Sequence, residues 1–278
     1  MPLHVTSEVG RLRRVLIHRP GREIDWMVPA MMERLLFDDI LYSERARHEH
    51  DGFRDVLRAA GVETLDPEEL LAEALAGEAV RTRLLARMEK RRTPDDVLRE
   101  LDAMEPAAMA TTLITGICAP EPAPDRFHGS FYRLPPVPNY FFQRDPQIVV
   151  GDRVVVSSMA TTARAREPLL ALTVFESHSA LGGLHPPIRL DGGSPALTPA
   201  RHLEGGDVLV AAPEVLMVGL SERTNRRGIE ALARQLHQAE AGFRHLIVVE
   251  VPAKRSYMHL DTVFTFIDRD LCLAYLPV

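Results

Sequence analysis

The chain of 278 residues is long enough for one large domain or two ordinary ones, and its 46% hydrophobic and 26% charged residues are typical of a soluble globular protein. A formal net charge of -6 argues against a nucleic-acid partner, because phosphate binding needs a surplus of clustered Lys and Arg. The two cysteines, Cys118 and Cys272, are too few for a disulfide framework, and no apolar run reaches the roughly 20 residues that cross a bilayer. We therefore expect a cytoplasmic protein with no membrane partner, and the acidic balance weakly favours a small cationic substrate.

The first predicted elements are a strand, a helix and a second strand. The apolar part of residues 10–20 predicts a buried strand, because Pro20 and Gly21 end it. A helical apolar stripe follows and stops at Gly61, and residues 62–65 predict a short strand.

Residues 67–118 change character, since prolines there separate runs rich in Leu, Ala, Glu and Arg. This pattern predicts a small helical insertion, and the frequent prolines of residues 119–138 predict a connecting loop. The predicted domains are an α/β domain of residues 1–66 and 126–278, and an insertion with its connection over residues 67–125.

The second half of the chain repeats one order of elements. Residues 147–190 read as strand, strand, helix and strand, with a hairpin turn at Gly151-Asp152, and residues 207–250 repeat that order. A repeat of about 60 residues is typical of propellers and arrays. A third unit starts at Asp261 and stops after two strands, which would leave an apolar edge uncovered unless another chain covers it. We therefore expect a truncated fragment of a longer protein, and a homo-oligomer is possible.

The stretch Met258-His259-Leu260-Asp261 places an imidazole and a carboxylate two residues apart, just before an apolar run. Successive side chains alternate faces in an extended segment, so His259 and Asp261 are predicted to point the same way while Leu260 enters the core.

Two upstream acidic motifs are the natural companions of this stretch: Arg144-Asp145-Pro146 and Glu204-Gly205-Gly206-Asp207. Asp145 and Asp261 suit the planar fork of a guanidinium group, which stays protonated at physiological pH. Glu204 suits proton transfer, and carboxylates around His259 would favour an imidazolium that can protonate a departing amine. Each motif alone is more often a turn, a hairpin loop or a surface residue, and their joint occurrence carries the prediction.

Together these motifs resemble those of the arginine deiminases, within the guanidino-group-modifying superfamily. The resemblance covers nearly the whole chain, including the helical insertion, and lies in residues 8–12, 35–41, 138–146, 203–207, 221–224 and 258–264. It implies an α/β propeller of strand-strand-helix-strand units, of which this chain holds about three and a half of five.

The resemblance also implies roles for individual residues. Asp145 and Asp261 would bind the guanidinium nitrogens of L-arginine, and Glu204 and His259 would transfer protons. The residues implied to hold the amino-acid end of the substrate are Asn139, Arg164 and Arg223. In this family a cysteine thiolate attacks the guanidinium carbon, ammonia leaves, and water hydrolyses the thiouronium to citrulline, with no metal or organic cofactor.

The sequence departs from the family at the nucleophile, whose C-terminal motif is missing. Cys272 lies in a predicted apolar strand and is expected to be a buried thiol, and Cys118 ends the helical insertion. The chain is therefore expected to be part of an arginine deiminase-like hydrolase that needs a further C-terminal portion. The alternative is a catalytically inactive protein that binds guanidino compounds. An amidinotransferase or a methylarginine hydrolase is disfavoured by residues 258–264 and by the insertion.

Overall fold

The protein is described by a computed structural model covering residues 3–27, 29, 32–35, 37–119, 131–178, 181, 185–194, 196 and 200–275, without the side chains of residues 34 and 35. The chain divides into two compact units. We call Met1–Arg11 with Arg144–Val278 the strand-repeat unit, and Leu12–Gln143 the helical unit. The domain boundaries expected from the sequence remain a prediction, and the one at residues 125 and 126 lies outside the described residues.

The helical unit begins with the predicted strand, helix and strand. Its first elements are β1 (Arg14–Leu16), α1 (Arg22–Asp25), α2 (Met32–Leu35), α3 (Ser43–Ala59) and β2 (Glu63–Leu65). The two strands pair in parallel, which confirms the predicted order. The first strand has only three residues and is half-buried, so the expectation of a buried strand is wrong. The reason is that its sheet has only these two strands among the described residues.

The helices predicted for the segment that begins at Pro67 are confirmed. The segment contains α4 (Pro67–Leu75), α5 (Glu78–Lys90), α6 (Asp95–Asp102) and α7 (Pro106–Thr115), followed by the antiparallel strands β3 (Ile117–Cys118) and β4 (Tyr132–Leu134). Asp66 starts the insertion, because its side chain accepts a hydrogen bond from the Glu68 N–H and so caps α4. The proline-rich connection predicted for residues 119–138 falls largely outside the described residues.

The strand-repeat unit contains the predicted repeat twice. The first copy is β5 (Gln147–Val150), β6 (Arg153–Val156), α8 (Glu167–Ser177) and β7 (Ile188–Arg189). The second is β8 (Val208–Ala212), β9 (Val215–Leu220), α9 (Arg226–Gln238) and β10 (His245–Glu250). In each copy the first two strands pair antiparallel, and the last strand pairs in parallel with the second.

Both copies contribute to one apolar core. Its fully buried members come from strands, from α9, from the residue after β7 and from the segment before β8: Val150, Val155, Leu190, Leu203, Val208, Val210, Leu216, Val218 and Leu232. Burying this many branched side chains is the main favourable contribution to folding, at about 2 kcal/mol per residue. The core fixes the strand ends on which the site residues lie.

The third unit consists of the antiparallel pair β11 (Phe264–Asp268) and β12 (Leu271–Ala274). All four residues of β12 are exposed, so the expectation that Cys272 is a buried thiol is wrong. The pair forms a two-stranded sheet, and only β11 contributes half-buried rings to the neighbouring apolar cluster. None of the described helices is long and apolar enough to cross a membrane.

Residues Leu260–Thr262 form a 3-10 turn, so the extended segment predicted through His259, Leu260 and Asp261 is wrong beyond the first of them. The hydroxyl and the N–H of Thr262 both donate to the His259 carbonyl, at 2.6 and 3.2 Å, and these bonds close the turn. Leu260 is fully buried, as the sequence predicted.

Candidate active site

Three turns of the strand-repeat unit carry the predicted acidic motifs, and each lies just ahead of the first strand of a repeat. Asp145 precedes β5, Glu204 precedes the 3-10 turn Gly205–Asp207 that leads into β8, and His259 precedes the turn that leads into β11. The first two turns are joined where the Gly205 N–H donates to the Asp145 carbonyl at 3.0 Å. Equivalent positions in successive repeats are thereby brought together, although they are far apart in sequence.

The His259 imidazole lies between two carboxylates. Its Nε2 is 2.8 Å from Glu204 Oε2, and its Nδ1 is 3.7 Å from Asp145 Oδ1. All three side chains are buried. The second oxygen of Glu204 accepts a hydrogen bond from the Ala160 N–H at 3.0 Å, which fixes the carboxylate toward the ring.

These contacts determine the protonation of the pair. Burial disfavours the imidazolium, but the hydrogen bond that its Nε2–H donates to Glu204 and the charges of Asp145 and Glu204 raise the pKa of His259 to about 9. Burial likewise disfavours the Glu204 carboxylate, yet His259 and Arg164 together lower its pKa below the ordinary value. The two groups therefore form an imidazolium–carboxylate pair at neutral pH.

Arg164 neutralises part of the buried negative charge. It lies 2.6 Å from Asp145 Oδ2 and 2.7 Å from Glu167 Oε2. Burial opposes its charge, but these carboxylates hold the pKa of Arg164 above its ordinary value. Burial raises the pKa of Glu167 to about 7 despite this partner. Sequence reasoning missed Glu167, although its position three residues after Arg164 at a helix start was an available signal.

Gly206 allows the close approach of the two sides of the cluster. A Cβ atom at this position would lie 2.8 Å from His259 Cγ and 2.9 Å from Asp145 Oδ1. Any side chain here would push the imidazole away from Asp145, so the second glycine of the Glu-Gly-Gly-Asp motif is required by packing.

Asp261 lies at the exposed rim of the cluster. Desolvation by the surrounding protein raises the pKa of its carboxyl to about 6; the charge of His259 offsets part of that rise, and the Asp145 charge adds to it. Asp261 therefore interacts electrostatically with both residues, even though the turn at Leu260 redirects it from the predicted geometry.

The predicted Arg223 and Asn139 are in different compact units. Arg223 is buried in the strand-repeat unit, 3.6 Å from Glu222 Oε1, and its Nε has no hydrogen-bond partner among the described residues. Asn139 is buried in the helical unit.

Neither cysteine is part of the buried cluster. Cys118 is exposed in the helical unit, where partial burial raises the pKa of its thiol, and Cys272 is exposed on β12. Among the described residues, no group of three or more His, Cys, Asp or Glu side chains is arranged to hold a metal ion.

Comparison with known proteins identifies the family. The profile described as arginine deiminase, ADI, matches residues 33–278. The chain belongs to the arginine deiminase family. Members of this family are hydrolases that act on guanidino groups, so the cluster around His259 belongs to a fold associated with that chemistry.

Individual relatives agree with this assignment. The arginine deiminase of Limosilactobacillus fermentum is 38% identical over 97% of this chain and 68% of its own length. That of Staphylococcus aureus strain MRSA252 is 36% identical with the same coverage. This member of the arginine deiminase family thus aligns with both relatives along almost its entire length.

Two solved structures share the fold at low sequence identity. An amidinotransferase from Microseira wollei superposes with a TM-score of 0.55 at 16% identity, covering 96% of this chain and 67% of its own. A dimethylarginine dimethylaminohydrolase from Pseudomonas aeruginosa, solved with citrulline, gives 0.52 at 14% identity, covering 95% and 69%. The arginine deiminase family member therefore has the α/β fold of guanidino-modifying enzymes.

Proposed function

We propose that this chain supplies the guanidinium-binding and proton-transfer residues of an enzyme that converts L-arginine to citrulline and ammonia. The observation that supports the proposal most is the buried His259 imidazole held between Glu204 and Asp145. A protonated imidazole is suited to protonating the departing ammonia. Glu204, which accepts a hydrogen bond from the ring, is suited to take a proton from the attacking water and return it to the imidazole.

The balance of charge around the cluster supports a cationic substrate. The carboxyl groups of Asp145, Glu167, Glu204, Asp207 and Asp261 outnumber the cationic groups of Arg164, Arg166 and His259. Keeping several negative charges in a desolvated place is costly, and the pKa of about 6 for the buried Asp207 reflects that cost. A bound guanidinium would offset the excess, with Asp145 and Asp261 as its carboxylate partners.

We propose that Arg223 binds the amino-acid end of the substrate. The same role for Asn139, and for Arg164, which is paired with Asp145 and Glu167, stays a prediction from the sequence. Support for Arg223 comes from its buried Nε, which lacks a hydrogen-bond partner within the described residues. A buried guanidinium with unused donors is a suitable partner for a carboxylate. The substrate would then lie between a cationic and an anionic end, matching the two ends of arginine.

The proposed reaction follows the covalent route of the family. A cysteine thiolate forms a bond to the guanidinium carbon, the C–N bond to ammonia breaks, and water then hydrolyses the C–S bond, which gives citrulline and restores the thiolate. We propose that this cysteine is neither Cys118 nor Cys272. Both are exposed and lack the activated surroundings of a nucleophile, and Cys118 belongs to the helical unit. The nucleophile would therefore come from outside these 278 residues.

The second candidate function is binding of guanidino compounds without turnover. It is favoured by the same observation, that both cysteines are exposed. A citrulline assay separates the candidates. We expect the 278-residue chain to bind L-arginine without forming citrulline, and a version extended by the C-terminal third of a relative to form it. Citrulline from the extended version only would support the deiminase, and none from either version would support the inactive binder.

The cysteine variants test the assignment of the nucleophile. Citrulline formation by the 278-residue chain, abolished by Cys118→Ser or Cys272→Ser, would contradict the proposal. In the extended version both substitutions should leave citrulline formation unchanged, because neither thiol takes part in the reaction.

For the architecture, we propose that the repeats form part of an α/β propeller. The support is that two successive copies, β5 to β7 and β8 to β10, share one order of elements and one pattern of strand pairing. Acidic turns at the starts of successive repeats would then face a common axis, which is where a propeller binds its ligand.

A further inference from the structure

The carboxylate of Asp207 is buried where the turns that carry Glu204, His259 and Arg223 meet. Its Oδ1 accepts a hydrogen bond from the Leu260 N–H at 2.8 Å, and its Oδ2 accepts one from the Ser221 hydroxyl at 2.7 Å. It also makes a side-chain hydrogen bond with Thr224. None of these bonds reaches the His259 imidazole, although the charge of Asp207 contributes to the raised pKa of that ring.

Ser221 extends this network to the turn of Arg223. Its Oγ accepts hydrogen bonds from the N–H groups of Arg223 and Thr224, at 3.0 and 3.2 Å, while its own O–H donates to Asp207. The Thr224 hydroxyl in turn accepts a hydrogen bond from the Glu204 N–H at 3.2 Å. The buried Asp207 carboxylate is therefore linked to the three chain segments that carry Glu204, His259 and Arg223.

Gly219 shows that the position of this carboxylate is tightly constrained. A Cβ atom at Gly219 would overlap Asp207 Oδ1, and it would lie 3.0 Å from the Leu260 Cβ. The end of strand β9 thus has to lack a side chain for Asp207 and the His259 turn to come together.

We propose that Asp207 is the positioning residue of the site: it holds the turn bearing His259 against Glu204 and couples that turn to the one bearing Arg223. The proposal deepens, and rests on, the proposed function. Glu204 and Asp207 lie three residues apart and hold two consecutive residues of the other turn, one by its side chain and one by its backbone N–H. A displacement of Asp207 therefore moves His259 relative to Glu204 without altering either side chain.

The test compares a variant that moves Asp207 with one that removes its charge. Gly219→Ala keeps every charge and displaces the carboxylate, whereas Asp207→Asn keeps the shape and removes the charge. The pKa of His259, measured by NMR titration of the ring in the 278-residue chain, should fall from about 9 toward its ordinary value in Gly219→Ala. L-Arginine affinity, measured by calorimetry, should fall roughly tenfold or more in the same variant.

The matched control is Gly52→Ala, since a Cβ at Gly52 meets nothing within 4 Å. It should change neither quantity. If Gly219→Ala does not fold, Ser221→Ala replaces it, because that substitution removes the hydroxyl that donates to Asp207 and accepts from the Arg223 and Thr224 N–H groups. It should shift both quantities in the same direction, by roughly threefold in affinity.

An unchanged His259 pKa in folded Gly219→Ala or Ser221→Ala, with a lowered pKa in Asp207→Asn, would show that Asp207 acts by charge alone and would overturn the proposal. If the parent chain fails to bind L-arginine, the proposed function fails, whereas the ring titration still reports whether Asp207 positions His259.

Discussion

Each compact unit of this protein contains a buried histidine that lies between a glutamate and an aspartate. The two histidines differ in the groups that surround these carboxylates. His259 lies between Glu204 and Asp145 in the strand-repeat unit. His18 lies between Glu23 and Asp66 in the helical unit, at 3.4 and 3.3 Å. Although burial opposes the charge in both, hydrogen bonds that the rings donate to the carboxylates raise the pKa of each imidazole to about 9.

The carboxylates around His18 also accept hydrogen bonds from nearby backbone N–H groups. Asp66 caps helix α4 at the Glu68 N–H, and Glu23 accepts a hydrogen bond from the Gly21 N–H. The carboxylates around His259 are instead accompanied by those of Glu167, Asp207 and Asp261. Together these five carboxyl groups outnumber the cationic groups of Arg164, Arg166 and His259. The buried imidazole of His18 thus links two chain segments of the helical unit. The excess of carboxyl groups makes the cluster around His259 a candidate site for a cation.

The largest expected contrast is in ligand binding. Glu204→Gln should weaken L-arginine binding by about 100-fold, because it removes a buried negative charge and the charge-assisted bond to His259. Glu23→Gln is the matched change in the helical unit and should alter the affinity by no more than roughly twofold. Calorimetry on both variants measures the contrast, and equal losses in the two would show that the clusters do not differ in this way.

The protein should become less stable in alkaline solution, because His18 and His259 both lose their protons there. Each pKa is raised above the ordinary 6.5, so the stabilisation is fully present below pH 6.5 and is lost as the pH rises through about 9. The free energy of unfolding should fall by about 2 kcal/mol per histidine between pH 7 and pH 10.

Urea unfolding at the two pH values tests this prediction. His18→Asn and His259→Asn should each remove about half of the pH dependence, since both imidazoles are buried. If the pH dependence of the unfolding free energy persists in the double variant, it arises from groups other than these two histidines.

Arginine binding should become tighter as the pH rises through about 6. The raised pKa of Asp261 leaves its carboxyl partly protonated there, and a bound guanidinium favours the ionised form, so binding releases a proton. We expect roughly a tenfold gain in affinity from pH 5 to pH 7. Calorimetry in buffers of different ionisation enthalpy counts the proton, and Asp261→Asn should abolish its release.

The smallest expected effect concerns the helix cap in the helical unit. Asp66→Asn keeps a capping oxygen for the Glu68 N–H and removes the charge beside His18. It should lower the pKa of His18 while α4 stays folded, and Asp66→Ala should cost about 1 kcal/mol more in unfolding free energy. Denaturant unfolding of the two variants measures the difference, and equal stabilities would rule out a capping role for the side chain.

Local chemistry explains which parts of the fold were predictable. The hairpin of β5 and β6, the helix α9 and the helical insertion follow from turn residues, apolar runs and caps that act within a few residues. The repeat of strand, strand, helix and strand is visible for the same reason. The 3-10 turn at Leu260–Thr262 was missed because it depends on bonds from Thr262 to one carbonyl, against an alternation that favours a strand.

The candidate site was predictable in its residue types and less so in its contacts. Asp145, Glu204 and His259 do come together, since each starts a successive repeat. The pairing of Arg164 with Asp145 and Glu167, and the contacts of Asp207, depend on side chains meeting across separate repeats, which no local pattern specifies. Cys272 was expected to be buried because its strand is apolar, but burial also requires a neighbouring layer.

The central claim is that the cluster around His259 binds a guanidinium group, and calorimetry with L-arginine and L-citrulline tests it most directly. The two ligands share their amino-acid end and differ in the charge of the group that would meet Asp145 and Asp261. We predict that the folded 278-residue chain binds L-arginine at least tenfold more tightly than L-citrulline, and that Glu204→Gln removes the preference. Equal affinity for the two ligands, or no binding of L-arginine by the folded chain, would contradict the account.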